Sequence, residues 1–82
     1  MGGQLRSLRE ELRIVDEQLS HLADEADDSR IRSLVSETPL AGVEFREARR
    51  HADAMVGRRR EVAETIAKLE RRQDELLDQL TR

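Results

Sequence analysis

Residues 39–82 read PLAGVEFREARRHADAMVGRRREVAETIAKLERRQDELLDQLTR. Apolar side chains recur through this stretch at alternating steps of four and three: Ala41, Phe45, Ala48, Ala52, Met55, Val62, Ile66, Leu69, Leu76 and Leu80. Arg59 and Gln73 are the polar members of the series. A 3.5-residue repeat sustained over this length is the signature of a coiled-coil helix. At 1.5 Å per residue the helix would run about 64 Å, too long to bury its stripe inside one small domain. It needs a partner helix.

The upstream half supplies one. Leu5, Leu8, Leu12, Val15, Leu19, Leu22 and Ala26 form a second stripe with the same spacing,. Between the stripes, Asp27-Asp28-Ser29 weakens the helical pattern, because short polar side chains compete for backbone hydrogen bonds. The turn signal lies further on, in Ser36-Glu37-Thr38-Pro39, where Thr38 suits an N-cap and Pro39 a first helical residue. The expected fold is all-α: an antiparallel two-helix coiled-coil hairpin, forming a single domain over residues 1–82. Its helices should cover about 4–35 and about 39–81, with the turn at about 36–38.

The register can be read as well. Leu5 opposite Leu69, Leu8 opposite Ile66, Leu12 opposite Val62, Val15 opposite Arg59 and Leu19 opposite Met55 bring seam residue against seam residue. Leu22 with Ala52 and Ala26 with Ala48 continue the series, and the fold-back then falls at Glu37. Charge agrees: residues 4–28 hold eight acids against three bases, a net of −5, and residues 30–60 hold eight bases against four acids, a net of +4. This register sets Asp16 and Glu17 near Arg58 and Gly57, and Glu25 and Asp28 near Arg49 and Arg46. Exposed pairs of this kind stabilise by only about 0.2–1 kcal/mol, so they select orientation more than they add stability.

Composition bounds the function. With no cysteine there is neither a disulfide nor a thiolate metal site, and Phe45 is the one aromatic residue,. No apolar run reaches membrane-spanning length and no signal peptide is apparent, so a cytoplasmic protein without membrane association is expected. Gly2 invites comparison with a myristoylation start, but Arg6 stands where that motif wants Ser or Thr,. Arg supplies fourteen of the fifteen basic residues, a bias expected of a GC-rich bacterial genome.

The pattern fails to close in two places. At the tip, a regular first helix carries its seam through Ser29 and Ser33, and Ile31, Leu34 and Val35 then point away from it. Leu40 and Val43 do so on the second helix. The five form a candidate partner-binding tip. Alternatively, a kink at Asp27-Asp28-Ser29 lets residues 29–35 fold as a short third helix over Val43 and Phe45. At the other end, residues 70–82 overhang the start of the first helix, leaving Leu76, Leu77 and Leu80 without an intramolecular partner. With Gln73 as a polar seam residue able to set register, this overhang is the candidate oligomerisation segment, and a homodimer is expected.

Chemistry is harder to find. Arg58, Arg59 and Arg60, beside Gly57, form the most basic spot and a candidate anionic contact, or else they answer acids on the first helix. Nucleic-acid binding is not expected at a net charge of −3 with no aromatic residue nearby,. His21 and His51 match no metal spacing, and there is no phosphate loop or nucleophile elbow, so neither cofactor, metal nor enzymatic activity is expected. The hairpin looks like the coiled-coil arm of bacterial polymerase secondary-channel factors, but those carry acids at the tip, where this chain has only Glu37. The β domain of one type and the cysteine zinc site of the other are also missing. Actinobacterial anti-sigma hairpins that bind cyclic di-GMP carry E-x3-S-x2-R-x3-Q-x3-D. Glu25, Ser29 and Arg32 fit its first half, while Ser36 and Leu40 take the Gln and Asp positions. The chain is assigned to neither family. The expected function is a non-catalytic coiled-coil interaction module, an adaptor or regulator that self-associates and binds another protein. The alternative is a small regulator that grips a sigma factor or RNA polymerase through its tip or its arginines.

Overall fold

The computed structural model describes residues 2–82. The chain forms two helices, α1 (Gly2–Ser36) and α2 (Pro39–Thr81), folded back on each other into a rod measuring 66 × 15 × 13 Å. The hairpin is the one expected, with α1 starting two residues earlier. Leu5, Val62 and Ile66 are buried, and Leu8, Leu12 and Leu69 pack against them. These six make up the three layers assigned to that end. Towards the tip Val15 and Ala48 are buried, while Leu19, Leu22, Ala26, Ala52 and Met55 are half-buried. Arg9 with Glu70, at 3.9 Å, and Glu11 with Arg58 clasp the two edges of the base. Both pairs sit where Leu8 opposite Ile66 and Leu12 opposite Val62 would put them.

The connection is two residues long. Thr38 has extended backbone (φ −98°, ψ 150°), and its Oγ1 accepts a hydrogen bond from the Ala41 N–H at 3.2 Å, the N-cap foreseen for it,. Pro39 follows as the first helical residue, where its missing N–H leaves no helical bond unmade,. Glu37 takes a positive φ of 51°, and its N–H donates to the Ser33 carbonyl at 3.3 Å. This left-handed residue closes the end of α1 and turns the chain.

α1 runs through Asp27-Asp28-Ser29 without a break, so the alternative of a short third helix over residues 29–35 is not adopted. The serines find bonds that leave the helix intact. Ser29 Oγ accepts from Arg32 Nη2 at 3.0 Å, and Ser33 Oγ donates to the Arg30 carbonyl at 2.8 Å,. Ser29 is only 3% exposed, in the seam position a regular helix gives it. The tip half is therefore sewn with Ala and Ser, whereas the base is packed with Leu, Val and Ile.

The cross-helix charges differ in detail from the expectation. Asp16 bonds to Arg59, at 2.5 Å from its Nε, rather than lying against Arg58, which goes to Glu11. Among the described residues no ion pair joins Glu25 or Asp28 to Arg49 or Arg46. Nearness along the axis is not enough. A two-helix rod has two edges, and the heptad sends Glu25 and Asp28 to one and Arg46 and Arg49 to the other.

Candidate interaction surfaces

Helical geometry decides what the tip offers. Ile31 and Val43 lie on the outer backs of their helices, and Val35 and Leu40 share one edge beside the turn. All five apolar residues of the expected tip are exposed, from 40% at Val43 to 80% at Val35. They encircle the tip and do not merge into one flat patch. A partner would have to cup the end of the rod to touch them together.

At the opposite end α2 continues alone past the start of α1. Gln73 is half-buried, while Leu76, Leu77 and Leu80 are 43%, 55% and 82% exposed. Leu76 and Leu80 occupy the same heptad positions that pack the hairpin further up. The overhang thus prolongs an existing interface with no helix of this chain opposite it among the described residues.

The three arginines do not converge. Successive helical residues point about 100° apart, so Arg58 reaches Glu11 and Glu61, Arg59 reaches Asp16, and Arg60 lies beside Val56 and Ala63. Two of the three are engaged in pairs between the helices. Gly57 is not there for close packing, because a Cβ built on it meets nothing within 4 Å.

Two features escaped the sequence reading. Ile14 and Val56 are apolar, off the seam and 42% and 41% exposed. The two edges also differ in chemistry: Ala23, Ala26, Phe45 and Ala52 line a hollow with Arg30, Arg49, Asp27 and Asp53 on one, while Glu25, Glu44, Glu47 and His51 gather with Arg32 on the other. The heptad contained this signal once edge positions are followed as closely as the seam. Among the described residues no three His, Asp or Glu side chains come together in a way that would hold a metal ion. No helix is long and apolar enough to cross a membrane. A hydrogen bond from Arg13 holds the exposed Glu10 carboxyl below the usual value, and Arg13 also bonds Glu17 at 2.6 Å.

No family model matches the chain, and neither a curated protein nor a solved structure does so. Geometry has to carry the functional reading.

Proposed function

We propose that the chain is a non-catalytic coiled-coil interaction module of the bacterial cytoplasm, a regulator or adaptor that pairs with a second copy of itself through residues 70–82. The observation that supports this is the unpartnered run Leu76, Leu77 and Leu80 on a helix whose seam is already used for packing. Burying each of these side chains would recover about 1.5–3 kcal/mol. Two copies meeting tail to tail bury both overhangs in one symmetric contact, the commonest form of homo-oligomer. The tips then face away from each other and remain free for another protein.

Sedimentation tests the pairing. The full chain is expected to be dimeric at micromolar concentration, and the triple variant Leu76→Ser, Leu77→Ser, Leu80→Ser monomeric with its hairpin intact. A monomeric unmodified chain would remove self-association from the proposal and reserve the overhang for a different protein.

A further inference from the structure

Leu77 is the overhang residue that the hairpin does not explain. Leu76 and Leu80 prolong the seam, whereas Leu77 stands one place off it, on an edge, and is 55% exposed. The hairpin shows how its edges pair. Arg9 follows the seam residue Leu8 and meets Glu70, which follows Leu69. Glu11 precedes Leu12 and meets Arg58, which precedes the seam residue Arg59. In this antiparallel pairing, residues just after a seam position share one edge, and residues just before a seam position share the other. The same pattern restricts how two overhangs can meet. Seam faces seam when Leu76 of each copy stands opposite Leu80 of the other, which puts the two-fold axis at Asp78. One heptad deeper, Leu80 of the second copy would land on Leu69, which already packs in the cluster of Leu5, Val62 and Ile66. One heptad shallower, no two seam residues of the overhang face each other.

We propose that a second copy docks in this register, so that Leu77 meets its own counterpart across one edge and Gln79 meets its own across the other. The inference deepens the self-association proposed above and rests on it. It gives Leu77 a purpose: the three exposed leucines of each copy close on the same three of the other. Across the opposite edge the two Gln79 amides, each both donor and acceptor, can bond to each other. Both flanking positions are uncharged, unlike Glu70 and Arg72 one heptad earlier, so like meets like without repulsion,. That self-matching favours a second copy over a different protein as the occupant. The second copy's α2 takes up the line that α1 holds further along the rod, and Gln73 borders the contact without entering its paired layers.

The test is a charge exchange at Leu77, read by sedimentation of full chains. Leu77→Glu alone and Leu77→Lys alone should each self-associate at least about tenfold more weakly than the unmodified chain, because equal charges then meet at the axis. An equimolar mixture of the two should recover dimers to within about threefold of the unmodified chain. A variant that had merely misfolded would not be rescued by mixing. Gln73→Glu should leave dimerisation unchanged. Three outcomes would each overturn the register: no recovery on mixing, full-strength dimerisation of Leu77→Lys alone, or loss of the dimer with Gln73→Glu. The last two belong to the deeper register, in which Leu77 would lie against Glu70 and Gln73 against Leu76 of the other copy. With the unmodified chain still dimeric, any of these results removes the register and leaves self-association standing. A monomeric unmodified chain removes both.

Discussion

Gly57 and Glu37 show how much can turn on one residue. Gly57 is a helical glycine with open space around its missing Cβ. Glycine in a helix interior costs about 1 kcal/mol relative to alanine. Gly57→Ala is therefore expected to raise stability by about 1 kcal/mol, measured as a later urea midpoint with an unchanged slope. A loss instead would mean that α2 bends or is approached closely at this point. Glu37 carries its side chain at a φ of 51°, where L-residues other than glycine are strained,. Glu37→Gly should gain up to about 1 kcal/mol in the same urea titration, and an unchanged midpoint would show that the turn tolerates the side chain freely. The sequence announced Thr38 and Pro39 because both residue types have a known place at a helix start. It gave no sign of the left-handed residue beside them, since glutamate seldom takes that role. Glu10 adds a pH term of defined sign. Its folded-state pKa is depressed by Arg13, so its contribution is present above the ordinary carboxylate range and is lost as pH falls through the lower folded value,.

At the scale of the helices, the hairpin has a firm base and a thin tip. The base buries Leu5, Val62 and Ile66 between two clasping ion pairs, while the tip seam offers Ser29, Ser33, Ala41 and Ala48 around a single phenylalanine. Ile66→Ala should cost about 2 kcal/mol or more, because it opens a cavity at the densest layer. Leu34→Ser with Leu40→Ser should cost under about 0.5 kcal/mol, since both side chains already stand in water,. Paired thermal melts compare the two. A large loss in the serine double variant would mean that the tip residues pack on something in the folded chain. Amide exchange should follow the same gradient, with α1 opening from residues 26–36 before its base, as few buried apolar contacts hold that end. The hairpin and its register were legible because seam residues repeat for many heptads and a slip would leave leucine facing charge. The tip was not, because Ser29 fits a seam and a helix break equally well until its bond to Arg32 is seen.

The shape of the whole molecule allows a test of how two copies meet. One chain is a rod 66 Å long, and both of its edges carry charges of both signs. Side-by-side packing would keep the length near that of one chain and leave the overhanging leucines without a seam to continue. Tail-to-tail packing through Leu76 and Leu80 continues the seam that already holds the hairpin. It also separates the tips. With the overhangs overlapping, the pair should extend to about 110–120 Å, given 1.5 Å per helical residue in the overlap. Small-angle scattering can distinguish the two, because a side-by-side pair would keep a maximum dimension near that of the single rod.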